Sequence, residues 1–144
     1  MVIKRLEDLI VWQLASELER RVFAFTARPP AERDVDFCSQ IRRSASSAPR
    51  NIAEGFGRFW PAEFAYKLRI ARGEVRETND HLGLAINEKY IDVQEHVVMF
   101  RLADRAIGAS TRLLQYLDSA GPDWKKGFLS AQRRARDGNK RPGE

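Results

Sequence analysis

The sequence predicts an all-α fold, an antiparallel up-down-up-down four-helix bundle with a basic C-terminal extension. Apolar residues recur at spacings of three and four in four separate segments, and no stretch alternates with period two. Pairs of turn-forming residues such as Pro29-Pro30 and Gly121-Pro122 separate or end these segments. With 144 residues, 43% of them apolar, the chain has the length and composition of one domain with one core.

The first predicted helix ends before Pro29-Pro30, because proline lacks the amide hydrogen and restricts the residue before it. Its apolar face consists of Val11, Ala15, Leu18, Val22 and Phe25. The second helix follows the capping candidates Asp34 and Asp36. Its apolar face consists of Phe37, Ile41, Ala45, Ala48, Ile52 and Phe56. Because Pro49 lies within this face, we expect either a kinked helix or two helices that meet near Ser47.

The third helix begins at Trp60-Pro61, since proline suits the first helical position. Its apolar face consists of Phe64, Leu68, Ala71, Val75, Leu82 and Ile86. The fourth helix begins at Asp92–Glu95, a pattern like a capping box with Asp in place of Ser or Thr, and it ends at Gly121-Pro122. We therefore assign residues 1–120 to the bundle and residues 121–144 to a basic tail.

The fourth helix carries two apolar stripes. The first is sufficient to face the other three helices and consists of Val93, Val97, Phe100, Ala103, Ile107, Leu114 and Leu117. The second lies about a hundred degrees around the helix and consists of Met99, Leu102, Ala106, Ala109, Leu113 and Tyr116. We predict that the second stripe, with Trp12 of the first helix, contacts another copy of the chain. The alternative is one broad arc that faces the core.

The positive charge is concentrated in the tail. Residues 121–144 contain seven basic and three acidic residues and carry +4 of the net charge of +5, so the bundle is nearly neutral. The tail can form a short amphipathic helix after Asp123. One face of that helix would carry Trp124, Phe128, Leu129, Gln132 and Ala135, docked on the bundle or on another subunit.

The patterns that catalysis or metal binding requires are missing. A di-iron bundle needs two Glu-x-x-His motifs, whereas neither His81 nor His96 follows a glutamate by three residues. Glu77 and His81 lie one turn apart, but a single helical pair points only weakly to a metal site. The single cysteine, Cys38, excludes an intramolecular disulfide and a cysteine zinc site. We therefore predict no enzyme activity, no catalytic residue, no metal and no cofactor.

A reducing cytoplasm fits a chain with one cysteine. In the first fifteen residues, charges interrupt every apolar run, so we expect neither a signal peptide nor a membrane span. The expected location is the cytoplasm, with no membrane and no small-molecule substrate among the partners.

Clustered basic residues are candidates for nucleic-acid binding, because arginines on neighbouring helices can contact successive phosphates. Those in the bundle are Arg43, Arg50, Arg58, Arg69, Arg72 and Arg76, and those in the tail are Lys125, Lys126, Arg133, Arg134 and Arg136. The alternative is a solvated surface on which these residues form ion pairs with Glu63, Glu74 and Glu77.

Asn51 and Glu54 are spaced three apart and can project toward one side of the second helix. We interpret them, with Glu77, as polar residues that stabilise the fold. Pro49 leaves one carbonyl without its helical partner, and nearby side chains can satisfy backbone groups on a facing helix.

A distinctive motif runs through the second helix, Ser47-Ala48-Pro49-Arg50-Asn51-Ile52-Ala53-Glu54-Gly55, with Gln40–Arg43 before it and Gly57-Arg58 after it. This motif resembles the hallmark stretch of a bacterial four-helix-bundle family that includes proteins encoded by intervening sequences of 23S ribosomal RNA genes. The resemblance extends over about residues 6–118, with supporting matches at Leu9–Gln13, Glu63-Phe64, Ala71–Gly73, Glu77 and Glu88–Ile91.

The resemblance implies a homopentamer, a ring of helices around a central channel. A related branch is the accessory variability determinant protein of diversity-generating retroelements, a basic pentamer that binds a reverse transcriptase and nucleic acid. This chain departs from the family pattern at Trp60-Pro61 and Glu74, where serine is usual, and its bundle is nearly neutral. These departures count against the retroelement role. We predict a non-enzymatic homo-oligomer that binds RNA or a nucleoprotein; the alternative is a structural or protein-interaction module.

Overall fold

Four α-helices make up the fold, which a computed structural model describes for residues 5–125. They are α1 (Ile10–Thr26), α2 (Val35–Phe56), α3 (Pro61–Asn87) and α4 (Val93–Asp118), with short 3-10 turns at Leu6–Asp8 and Ala31–Arg33. Within this part of the chain there is no β-strand. The prediction of an all-α fold with four helices is confirmed.

The helices form a ring in which neighbours in sequence are neighbours in space. α2 packs against α1 and α3, and α4 packs against α3 and α1. Ser44 contacts Thr78 and Glu54 contacts Lys67, so residue numbers rise along α2 as they fall along α3. Likewise, residue numbers fall along α4 as they rise along α3, since Arg69 contacts Asp118 and Arg72 contacts Thr111. Consecutive helices are therefore antiparallel, as expected for short connections.

The core lies between the four helices and contains the predicted apolar faces of α1, α2 and α3. Every predicted residue of these faces is buried except Phe56 and Ile86, which are half-buried. Asp34 begins α2 by accepting a hydrogen bond from the Phe37 amide at 3.2 Å. Asp92 and Glu95 form the predicted capping box of α4.

Pro49 lies inside one continuous helix, since α2 runs from Val35 to Phe56 without interruption. The alternative of two helices that meet near Ser47 is wrong. Proline removes one amide, so the carbonyl of Ala45 lacks its usual donor four residues later. The other hydrogen bonds of this long helix, together with the burial of Ala48 and Ile52 in the core, outweigh the local loss of about 3 kcal/mol.

The orientation of α4 corrects the prediction for this helix. Met99, Ala106 and Leu113, assigned to a contact with another copy, are buried in the core of the chain itself. Val93 and Phe100, assigned to the core, are 69% and 46% exposed.

Small side chains at the centre of α4 account for this rotation. Ala103, Ala106 and Ser110 are buried against the neighbouring helices. A helix with small side chains in the contact can approach its neighbours closely, so the side of α4 that carries them faces the core.

The core also extends past the predicted end of the bundle at residue 120. Trp124 is buried, with its ring 5.2 Å from that of Phe64 and 6.4 Å from that of Phe56, measured between centroids. The Tyr116 hydroxyl donates a hydrogen bond of 2.7 Å to the Trp124 carbonyl. The predicted docking of the tail on the bundle thus holds for Trp124, while Phe128, Leu129, Gln132 and Ala135 lie outside the described residues.

The turn between α3 and α4 is hydrogen-bonded to the capping residue of α2. Lys89 has a positive φ of 60°, and the Tyr90 amide donates back to the Ala85 carbonyl at 2.8 Å, which closes α3. The Tyr90 hydroxyl donates to Asp34 Oδ2 at 2.5 Å. This bond to a carboxylate raises the pKa of Tyr90 to about 12. One carboxylate therefore caps α2 and anchors the α3–α4 turn.

Gly55 lies where the end of α2 packs directly against the first turns of α3. A Cβ atom at this position would lie 2.5 Å from Phe64 Cδ2 and 2.9 Å from Lys67 Cβ. Such distances are too short for any side chain, so the contact requires glycine. Gly57, rather than Gly55, occupies the C-cap position of α2, with a φ of −72°.

We expect Gly55→Ala to destabilise the protein by about 1–3 kcal/mol, because overpacking at the α2–α3 contact outweighs the better helix propensity of alanine. Gly73→Ala is the matched control, since a Cβ atom at Gly73 would meet nothing within 4 Å and α3 should gain up to about 1 kcal/mol there. Urea unfolding measures both. Equal stabilisation by the two substitutions would contradict the close contact at Gly55.

Candidate functional site

A pair of buried hydroxyls lies at the middle of the α2–α3 contact. Ser44 Oγ and Thr78 Oγ1 are 2.8 Å apart and both residues are fully buried. Each hydroxyl also lies within hydrogen-bond distance of a carbonyl of its own helix, Ser44 at 3.2 Å from that of Ile41 and Thr78 at 2.9 Å from that of Glu74. Since a hydroxyl has one proton, one of the two donates to its carbonyl and the other donates across the helix contact. Sequence reasoning missed this pair, although Thr78 fills the gap between Val75 and Leu82 in the predicted apolar face of α3.

The polar residues predicted to stabilise the fold lie along the same contact. Asn51 donates from Nδ2 to the carbonyl and the hydroxyl of Ser47, at 2.9 and 3.0 Å. These acceptors belong to α2 itself, which corrects the expectation of a partner on a facing helix. Glu54 does cross to α3, where it forms an ion pair of 2.9 Å with Lys67.

An acidic cluster follows on the outer side of this contact. Glu77 accepts a hydrogen bond from Arg43 at 3.1 Å and lies 3.7 Å from His81 Nε2. Glu74 Oε2 is buried and has no hydrogen-bond partner among residues 5–125. Burial, and then the negative charge of Glu77, raise the pKa of Glu74, while the positive charge of Arg43 acts in the opposite direction.

Metal binding by this cluster has no support in the geometry. Within residues 5–125, no three His, Cys, Asp or Glu side chains come together in a way that could hold a metal ion. The Cys38 thiol donates to the Ala31 carbonyl at 3.1 Å, and burial raises its pKa.

The six candidate arginines of the bundle do not form one patch. Arg43 and Arg50 are exposed on α2, seven residues and therefore about two turns apart. Arg69 and Arg76 are exposed with the same spacing on α3, whereas Arg72 is half-buried and donates to Thr111 Oγ1 at 3.2 Å. Arg58 is exposed in the connection that follows α2.

Carboxylates partly neutralise these arginines, as the alternative interpretation expected. Arg43 pairs with Glu77, and Arg69 lies 3.4 Å from Asp118. The expected partners Glu63 and Glu74 form no ion pair within the described residues. In the tail, Lys125 donates to the Phe56 carbonyl and lies over the Phe56 ring at 4.1 Å. Lys126, Arg133, Arg134 and Arg136 lie outside the described residues.

The first half of α4 presents an apolar surface to solvent. Val93, Val97 and Phe100 share one face at spacings of four and three, and all three are exposed. Val98 is also exposed but lies about 160° around the helix from Phe100. Leu102, Ala109 and Tyr116 of the predicted interface are half-buried and spaced seven apart. At 100° per residue they point about 160–180° away from Phe100. Trp12 of α1 is half-buried as well.

Two further surface features lie at the ends of the bundle. A shallow depression of about 510 Å³ lies beside the α1–α2 and α3–α4 connections, lined by residues that include Arg28, Tyr90 and Glu95. Another, of about 390 Å³, lies between the start of α3 and the end of α4, where Trp60 and Asp118 line it.

None of the helices within residues 5–125 has the length and apolarity that crossing a bilayer requires.

Comparison with known proteins identifies relatives of the chain. Residues 7–109 match the family described as 23S rRNA-intervening sequence protein. A solved structure of similar fold is a protein of unknown function from the S23 ribosomal protein family of Bacteroides thetaiotaomicron. The two chains superpose with a TM-score of 0.66 at 24% identity, over 73% of this chain and 98% of the other. No curated protein sequence gives a significant match.

We expect Glu74→Gln to raise the melting temperature at pH 7. In the folded state the pKa of Glu74 is raised above its ordinary value of 4.5. The protonated carboxyl therefore stabilises the fold fully below pH 4.5, and this stabilisation is lost as the pH rises through the folded-state pKa. Glutamine cannot ionise, so the gain should shrink as the pH falls to about 4. Glu32→Gln, at an exposed position, is the control. A lower melting temperature for Glu74→Gln at pH 7 would show that the charge is favourable.

Proposed function

Because the chain belongs to the family of 23S rRNA-intervening sequence proteins, we propose that it is a non-enzymatic helical bundle that assembles with copies of itself in the cytoplasm. The observation that supports assembly is the exposed apolar surface of Val93, Val97 and Phe100 on α4. Contiguous exposed apolar side chains on one helix are typical of a protein contact, since burying them removes apolar area from water.

The two apolar sides of α4 favour a ring over a two-fold dimer. In a cyclic assembly one surface of each copy contacts a different surface of the next. The side with Val97 and Phe100 would contact the opposite side of the neighbour's α4, with Leu102, Ala109 and Tyr116. Five copies is the number that the family resemblance implies.

Replacing Val97 and Phe100 together by glutamate should dissociate the assembly, because two carboxylates would lose their water in the contact. Val35→Glu is the matched control, as Val35 is 71% exposed at the start of α2. Sedimentation equilibrium should give about five times the 16.5 kDa mass of one chain for the unmodified protein and the control. A monomeric unmodified protein at micromolar concentration would refute the proposed assembly.

RNA is the ligand that we propose for the assembly. Exposed arginines on the neighbouring helices α2 and α3 support this assignment, since Arg43, Arg50, Arg69 and Arg76 recur once in every copy. The family description names 23S rRNA and the name of the solved relative refers to a ribosomal protein family, so structured ribosomal RNA is the first ligand to test. A module that binds only protein is the alternative.

A charge reversal at Arg50 and Arg76 should weaken binding of a labelled structured RNA about equally for different sequences, because phosphate contacts carry no sequence information. For about six neutralised phosphates, the logarithm of affinity should fall with the logarithm of salt at a slope near −5. Arg33→Glu, at an exposed position between α1 and α2, controls for net charge. Absence of salt-dependent binding by the full chain would favour the protein-binding module instead.

A further inference from the structure

An exposed aromatic pair lies at the start of α3, whereas α2 and α4 each begin with a capping carboxylate. Asp34 and Asp92 cap α2 and α4, whereas Trp60 occupies the same position of α3 and makes no side-chain hydrogen bond to the helix. Trp60 is 55% exposed, and Phe59 beside it is 65% exposed. Neither capping nor core packing accounts for two large rings at this position.

A rigid base holds this pair. The Phe59 and Trp60 rings lie 5.0 Å apart between centroids and at 87° to each other, so they present flat faces in two directions. Pro61, the next residue, is buried, and the rings of Phe64 and Trp124 fill the core beneath the start of α3. The backbone that carries the pair is thus fixed by packing.

Two basic residues of the described chain lie at the same end of the bundle as the pair. Arg58, directly before it, is exposed, and Lys125 lies at the same end of the bundle over the Phe56 ring. From this point the sequence continues with residues 126–144, which contain six basic and two acidic residues. The carboxylate of Asp118, which lines the depression beside Trp60, is paired with Arg69.

We propose that Phe59 and Trp60 form a stacking platform for unpaired bases of a single-stranded nucleic acid. Exposed aromatic faces next to basic residues are what such strands bind, since every base has a flat face and every nucleotide a phosphate. Arg58 holds a phosphate, and the rings hold the bases without reading their sequence. This inference rests on the RNA binding proposed above and names the part of the RNA that is held.

The test is a titration of the full chain with a labelled twelve-nucleotide oligouridine. Tryptophan fluorescence and the anisotropy of the labelled oligonucleotide monitor binding. Stacking should quench Trp60. Trp60→Phe should remove that quenching while keeping the affinity within about threefold, because phenylalanine also stacks. The double substitution Phe59→Ala with Trp60→Ala should weaken binding about tenfold or more.

Phe23→Ala is the matched control, because Phe23 is also exposed and lies beside an arginine but belongs to α1. Unchanged affinity in the double variant would overturn the proposal. So would strong shielding of Trp60 from acrylamide in the free protein, which would mean that the tail or another copy already covers the pair. If structured RNA binds but oligouridine does not, the platform is refuted and the proposed RNA binding stands; if neither binds, both fall.

Discussion

The absence of a side chain at Gly55 lets the end of α2 lie directly against Phe64 and Lys67 of α3, and this close contact constrains how the two helices pack. The Ser44–Thr78 hydrogen bond, farther along the same pair of helices, fixes their relative register. A shift of either helix would break this bond between the helices and leave each hydroxyl only the carbonyl of its own helix, at a cost of about 1 kcal/mol. α1 and α4 then pack on the two sides of a pair whose alignment is already determined.

Most of the fold could be predicted because local rules decide it. Helix starts at Asp34, Pro61 and Asp92 depend on the residue itself, and the apolar faces of α1 to α3 depend on spacing alone. The rotation of α4 could not be predicted in this way. Its two stripes are both apolar, and the choice between them depends on how closely Ala103 and Ala106 let α4 approach α1 and α3, which is a property of the assembled bundle.

The candidate sites were harder to predict for a related reason. A sequence shows that Arg43 and Arg69 are basic but not that Glu77 and Asp118, far away in the chain, lie beside them. Likewise, the buried hydroxyl of Thr78 and the orphaned carboxylate oxygen of Glu74 acquire meaning only when α2 covers α3. Once the helices have packed, exposed arginines lie on α2 and α3, the exposed Val97 and Phe100 share one face of α4, and the exposed rings of Phe59 and Trp60 lie at the start of α3. Under the proposed function, self-association and RNA binding would therefore use different residues.

The shared carboxylate of Asp34 has a consequence for the order of folding. Its contact with Tyr90 joins residues 56 positions apart and closes a loop that contains all of α2 and α3. The entropy lost in closing so long a loop is recovered only when the two helices inside it have already paired. We therefore expect the Asp34–Tyr90 contact to form after the α2–α3 hairpin, and we expect these two helices and the following turn to fold cooperatively.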